Sequence, residues 1–449
     1  MVKQAPRAGV VGLGVTGVSC VRHLHHLGYE VVAFDTRANP PGRDQAKREF
    51  PDLELEIGPM KASRFAGLEF VAVSPGMPLA DPGLVDARRQ GVPLIGDIEL
   101  FARATAKPVI AVTGANGKST VTSLVGHMCA EAGLRTVTAG NIGLPVLDAL
   151  ADDVTDVYVL ELSSFQLETT HTLNARAAAV LNITPDHMDR YLSLEEYAMA
   201  KARIFEGDGL MVLNRDDQIV RGMARAGRSS VTFSLAEPAT ERDYGILERS
   251  GEPWLASGNR LFMRCRDIPL LGRHNWANVL AALALAEAAG VPQDAARRAV
   301  TGFHALAHRA EKVAEVDGVL WVNDSKGTNV GATAAALGGM TQPVILIAGG
   351  DGKGADFTLL RDAVRGRVRR LLLIGRDAEL IARALKDLCP VERCETLEEA
   401  VARAHVLARS GEAVLMSPAC ASFDMFRNFE HRGDVFRAAV QKLVGDGDR

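Results

Sequence analysis

Three times along this chain a short run of apolar, largely β-branched residues ends in a glycine-rich turn and opens into a helical pattern. The first is AGVVGLGVTG at residues 8–17, followed by the helical VSCVRHLHHLG and by a second strand, EVVAFD, ending at Asp35. The second is PVIAVTGANGKST at 108–120, running into VTSLVGHMCAEAG with a helix end at Gly133. The third, PVILIAGGDGKGADF at 343–357, precedes LLLIG at 371–375 and the helical RDAELIARAL. Parallel strands need a crossover, and a helix covering the sheet is its usual form, so each unit predicts an α/β domain on a mostly parallel sheet. A chain of 449 residues accommodates three such domains better than one core. We expect their boundaries near residues 98 and 305, giving segments 1–98, 99–305 and 306–449. The segment GVPLIGDIELFARAT, 91–105, bridges the first to the second, and GVLWVND belongs with the third.

Charge narrows the partners. Fifty-one Lys and Arg stand against 55 Asp and Glu, a formal net charge of -4. No whole-chain positive field exists to hold nucleic acid or a membrane surface, so anionic ligands must be met by local groups. The 47% hydrophobic content excludes a disordered chain. The six cysteines are scattered without a CxxC pair, which predicts free thiols. The start lacks the long apolar segment of a secretory signal, and the apolar stretch AALALAEAAG is too short to span a bilayer. A soluble cytoplasmic protein is expected.

Two glycine motifs carry chemistry. Gly12, Gly14 and Gly17 form GxGxxG after a strand, with Asp35 at the end of the next. Such turns hold a diphosphate on backbone N–H groups and a helix N-terminus; a tight turn without a ligand needs the same glycines. Gly114, Ala115, Asn116, Gly117, Lys118, Ser119 and Thr120 are more specific. Lysine supplies a point charge for phosphate oxygens, the hydroxyl can ligate Mg²⁺, and loop amides wrap the phosphates. The strict P-loop has glycine six residues before its lysine, where Val112 stands here. Further on, Glu161 closes a strand, and Asp186, His187 and Asp189 follow another, positions suited to metal or water ligands. Lys201, by spacing alone, is an ordinary solvated helix lysine.

Together these motifs resemble, in order and over nearly the whole length, the Mur ligases of bacterial cell-wall synthesis. The resemblance rests on DTR at 35–37, SPG at 74–76, GANGKST at 114–120, NIG at 141–143, ELSSFQLE at 161–168 and DHMDRY at 186–191. It continues through HNWAN at 274–278, HR at 308–309, NDSKGTN at 323–329, GGDGKG and SPACASFDMFRNFEHRG. Ala115 stands where threonine is common, and Phe423 where leucine is common.

The resemblance implies a Rossmann-like first domain for a UDP-sugar, a central P-loop-type ATPase domain, and a Rossmann-like third domain that brings an amino acid. Asp35, Thr36, Arg37, Ser74, Gly76 and Asn141 would then meet the UDP-linked substrate. ATP would be held by residues 114–120 with Asn275, Asn278, Arg309 and Asp324. Lys118, Glu161, His187 and Lys201 would be catalytic. Ser119 and Glu161 would bind one Mg²⁺ and His187 a second, with Lys201 carrying a carbamate that makes it an anionic metal ligand. Lys326, Thr328, Lys353, Ser422 and Phe429 would form the amino-acid pocket.

The activity so implied is ATP-dependent amide formation between UDP-N-acetylmuramoyl-L-alanine and D-glutamate through an acyl phosphate, by a monomer. The same chemistry with L-glutamate or another amino acid remains open. An NAD-dependent dehydrogenase would explain GxGxxG and Asp35 but would leave GANGKST unused, and a motor or switch NTPase would leave the late motifs unused.

Overall fold

The structure is a computed structural model and describes residues 5–152 and 154–447. Three separate sheets follow one another along the chain. The first contains β1 (Arg7–Val11), β2 (Glu30–Asp35), β3 (Glu54–Ile57), β4 (Phe70–Val73) and β5 (Leu94–Ile95). They run parallel in the order β3-β2-β1-β4-β5. Alternate residues fill opposite faces: Val10 and Ala33 pack on one side, Val11, Val32 and Phe34 on the other. Both faces are covered, as an all-parallel sheet requires. The chain order reverses between β1 and β4, and the glycine loop and Ser74 emerge there, at the place where such sheets bind ligands.

The second sheet holds β6 (Val109–Thr113), β7 (Thr136–Gly140), β8 (Val157–Glu161), β9 (Ala177–Val180), β10 (Leu210–Asn214), β11 (Ser230–Phe233), β12 (Tyr244–Arg249), β13 (Glu252–Ser257) and β14 (Arg260–Arg264). Its order is β14-β13-β12-β11-β10-β9-β6-β8-β7. The strand after the second glycine turn is therefore not beside β6, since β8 lies between them. The parallel run ends at β12, from which an antiparallel ribbon extends through β13 to β14. Strand β6 is central, flanked by β8 and β9, so the turn after β6 sits beside Glu161 and the segment leading to Asp186.

The third sheet is formed by β15 (Glu311–Val316), β16 (Val319–Asn323), β17 (Val344–Gly349), β18 (Val368–Ile374), β19 (Val391–Arg393) and β20 (Ala413–Met416), in the order β15-β16-β20-β17-β18-β19. Only β15 is antiparallel to its neighbour. Leu346, Leu371 and Leu415 face one layer of helices, and Ile345, Leu372 and Val414 the other. All six cysteines are free and buried, and among the described residues no helix is long and apolar enough to cross a membrane.

Candidate active site

The turn after β6 is shaped by two glycines in conformations that side chains resist. Gly114 has φ +152°, and Gly117, with φ +83°, caps the helix Lys118–Glu131. A Cβ on Gly117 would lie 2.6 Å from Asn278 Oδ1. Asn278 is itself fixed, donating from Nδ2 to Asn275 Oδ1 at 2.9 Å, while Asn275 donates to the Leu271 carbonyl at 2.6 Å. The turn is thus seated against the first turn of the helix Arg273–Ala288. Lys118 Nζ donates to the carbonyls of Gly114 (2.9 Å) and Ala115 (2.8 Å), curling over its own loop. Burial pushes its pKa down, against the opposing pull of Glu161 and Asp186.

Lys201 is not the solvated lysine its spacing suggested. It is 1% exposed, and its Nζ donates to the Gly114 carbonyl at 2.9 Å and contacts Thr113 Oγ1 at 3.3 Å, 4.6 Å above the Tyr197 ring. Burial, and then the Lys118 charge, drive its pKa well down. A neutral buried amine is the form that can add to CO₂, so this environment fits carbamate chemistry.

Glu161 is 2% exposed. Its Oε1 accepts from Asn141 Nδ2 at 2.7 Å, while Oε2 is buried with no partner among the described residues. A buried carboxylate oxygen left open in this way fits a cation. Ser119 Oγ accepts from Arg309 Nη2 at 2.5 Å. His187 sits at φ +58° beside the Phe165 ring, and burial lowers its pKa, favouring the neutral imidazole that can ligate metal. Among the described residues no three His, Cys, Asp or Glu side chains form a cage of their own. That suits Mg²⁺, which is ordinarily held by one or two carboxylates, waters and substrate phosphates.

The third domain supplies the opposite wall. Asp324 Oδ1 accepts from the Ala310 N–H at 3.1 Å and Oδ2 from Ser417 Oγ at 2.6 Å; burial raises its pKa to about 6. Lys326 lies 3.9 Å above the Phe429 ring, with its pKa lowered by burial to about 8. The cleft between the walls, about 340 Å³, is lined by residues 115–120, Asn141, Glu161, His187, Lys201, Asn275, Asn278, Arg309, Asp324, Lys326, Thr328 and Lys353. Gly114 borders it through its carbonyl. Four cations (Lys118, Arg309, Lys326 and Lys353) line it together with three carboxylates (Glu161, Asp186 and Asp324) and the buried Lys201 amine, so in a chain of net negative charge local groups are what meet an anionic ligand. His187, Ala310 and Lys353 on its lining, and His308 beside Arg309, have positive φ, and strained backbone of this kind gathers at functional sites.

The remaining sequence-predicted residues lie outside this cleft. Ser422 is buried, with its carbonyl accepting from the Met425 and Phe426 N–H groups, and Phe429 stands behind Lys326. In the first domain Asp35 is fully buried. Its oxygens accept from the Leu13 N–H (2.7 Å) and from the Arg37 guanidinium (2.7 and 2.9 Å). Burial alone would raise its pKa, but these bonds hold it below the usual carboxylate value. Asp35 therefore orders the glycine loop and Arg37, while Thr36, Arg37 and Gly76 are exposed at the rim. Ser74 Oγ donates to the Gly12 carbonyl at 2.7 Å, and a Cβ on Gly17 would meet that same oxygen at 1.9 Å.

Sequence reasoning missed Asn329 and Thr184, both bonded to Asn116, and His274, whose Nδ1 is buried without a partner. Asn329 was visible only as the last residue of NDSKGTN, and nothing local distinguishes it from a helix cap.

Comparison with known proteins agrees with this geometry. The family described as Mur ligase MurD-like, N-terminal domain, matches residues 6–96; Mur ligase middle domain matches 112–286; and Mur ligase, glutamate ligase domain, matches 308–420. A protein of Methylobacillus flagellatus named UDP-N-acetylmuramoylalanine--D-glutamate ligase is 53% identical over 437 residues, covering 97% of this chain and 96% of that protein. A protein of the same name from Nitrosococcus oceani is 49% identical with the same coverage. Among solved structures, MurF from Acinetobacter baumannii superposes with a TM-score of 0.60 at 17% identity, over 99% of this chain and 91% of that one, a likeness of fold alone. With family matches in the order of the three sheets, and relatives spanning its length, the chain belongs to the Mur ligase family.

Proposed function

We propose that this chain joins the amine of D-glutamate to the L-alanyl carboxylate of UDP-N-acetylmuramoyl-L-alanine, cleaving ATP to ADP and phosphate, as a cytoplasmic monomer with domain boundaries near residues 98 and 305. One observation carries the reading: a phosphate-type loop with Lys118 shares a single cleft with Lys326, Thr328 and Lys353, and Glu161 and Asn141 line the same cleft. Full-length relatives named for D-glutamate ligation support the choice of amino acid.

The chemistry answers one obstacle: a carboxylate oxygen is too poor a leaving group for an amine to displace. An oxygen of the alanyl carboxylate therefore attacks the γ-phosphorus, the bond to the β-phosphate oxygen breaks, and ADP leaves an acyl phosphate behind. Lys118, released from its loop carbonyls, places its charge on the transferring phosphoryl group. The amine of D-glutamate then attacks the acyl carbon, loses a proton, and expels phosphate. Arg309 and Lys326 meet the anionic groups from the third-domain side. Lys353 and Thr328, which line the cleft, hold the amino acid, with Phe429 behind Lys326, and Arg37, Thr36, Gly76 and Ser74 the UDP portion around the loop that Asp35 orders.

Ser119 and Glu161 would hold one Mg²⁺, and His187 with carbamylated Lys201 a second. When bound, these ions withdraw negative charge from the phosphoryl oxygens. The test is phosphate release and product mass with ATP, UDP-N-acetylmuramoyl-L-alanine and a panel of D- and L-amino acids. Release that depends on D-glutamate is expected; release with an L-amino acid alone would reassign the substrate, and NADH oxidation with a carbonyl substrate would reassign the class.

A further inference from the structure

The helix Val330–Gly339 of the third domain lies directly on the central domain, and its first turn is joined to the nucleotide loop by side chains. Asn329 caps this helix, its Oδ1 accepting from the Ala332 N–H at 2.8 Å. Its Nδ2 reaches across the cleft to Asn116 Oδ1 (3.1 Å) and to Asp186 Oδ2 (3.0 Å). Asn116 returns a bond from Nδ2 to Asn329 Oδ1 (3.3 Å) and another to Thr184 Oγ1 (3.3 Å). Two amides thus pair face to face across 213 residues of sequence.

The central-domain half of this contact is fixed independently of the third domain. Asn116 N–H donates to Asn182 Oδ1 at 2.8 Å, and Asn182 Nδ2 donates back to the Asn116 carbonyl at 3.0 Å. The helix backbone also packs tightly on the Thr184 side chain, since a Cβ on Gly331 would lie 2.7 Å from Thr184 Oγ1 and 3.0 Å from its Cβ. Asn329 follows Thr328 directly. A side chain beside the expected amino-acid pocket is therefore bonded to the loop expected to hold ATP.

We propose that Asn329 is a positioning residue that registers the amino-acid-bearing domain on the nucleotide loop, so that the acyl phosphate forms with the incoming amine already in line. The inference rests on the ligase reading above. When the register is lost, water replaces the amine at the acyl carbon. Carboxylate and phosphate are regenerated, and ADP accumulates without amide.

Asn329→Asp separates this role from capping. Aspartate is as good an N-cap acceptor as asparagine, but it cannot donate to Asn116 and it faces Asp186 with like charge. Displacements near 1 Å can cost two orders of magnitude, so ligation should slow at least about tenfold. ADP formed per amide should rise above the wild-type ratio while the melting temperature holds. Gly331→Ala, which keeps the cap and both amide side chains but pushes the helix off the Thr184 side chain, should raise the same ratio, and it serves if Asn329→Asp does not fold. A wild-type ratio in the folded variant, at whatever rate, overturns the inference. Failure of the wild-type protein to consume D-glutamate would instead overturn the ligase reading.

Discussion

Gly117→Ala places a methyl group in the tightest part of the nucleotide loop. The added Cβ falls 2.6 Å from Asn278 Oδ1, a separation at which something must move, and the φ of +83° is one that alanine resists. The left-handed backbone costs about 1–2 kcal/mol. Asn278 cannot swing aside freely, because its amide is bonded to Asn275 and Asn275 to the Leu271 carbonyl. Displacing it sacrifices a hydrogen bond, worth about 1 kcal/mol, and adds overpacking of about 1–3 kcal/mol. The total loss should be about 3–6 kcal/mol. Asn278→Ala alone should cost about 1 kcal/mol, for the bond to Asn275. In the double variant the clash is gone, leaving the backbone cost and the lost bond, so the two changes should couple by at least about 2 kcal/mol in the relieving direction. The assay is denaturant unfolding followed by tryptophan fluorescence, since Trp254 and Trp276 both lie in the central domain. Additivity within about 0.5 kcal/mol would refute the claim that Asn278 seats the loop.

Other substitutions test separate parts of the account. Lys201→Ala should abolish ligation, with partial rescue by small carboxylates that replace the carbamate; an active, unrescued variant would remove that role. Asp97, buried with one unpartnered oxygen and bonded to Gln166 Nε2 at 3.1 Å, has its pKa raised by burial to about 6. Between the ordinary value near 3.8 and about 6 the unfolded chain gives up this proton and the folded chain keeps it, so stability is lost as pH rises through that window. Asp97→Asn should therefore stabilise the protein at pH 8 by up to about 3 kcal/mol and change little at pH 4, as read by denaturant midpoints at the two pH values. An equal effect at both would show that the carboxylate is not held as the structure has it.

What the sequence disclosed follows from local chemistry. The glycine turns after β1, β6 and β17 were legible because left-handed and close-packed backbone needs glycine whatever surrounds it; Gly12, Gly114, Gly117, Gly349 and Gly350 all have positive φ. Strand and helix followed from apolar runs and their spacing. Sheet order was less accessible: β8 inserts between β6 and β7, and the ribbon β12–β14 extends the parallel sheet, because neighbours in a sheet are chosen by packing across the domain. The same limit applies to the site. Lys201 looks solvated by spacing and is buried against the Tyr197 ring, and its placement beside Gly114 spans 87 residues. Strand-end position marked Glu161 and His187 as candidates and the resemblance of ordered motifs supplied Lys201, whereas the bond between Asn116 and Asn329 became visible only in three dimensions.

The central claim is that a carboxylate is activated as an acyl phosphate in the cleft between Lys118 and Lys326. It is tested most directly by isotope transfer, using substrate labelled with ¹⁸O in both oxygens of the alanyl carboxylate together with ATP and D-glutamate. The account predicts one labelled oxygen in the released phosphate for each amide formed, since the attacking oxygen leaves with phosphorus. Unlabelled phosphate accompanying full amide formation would contradict it.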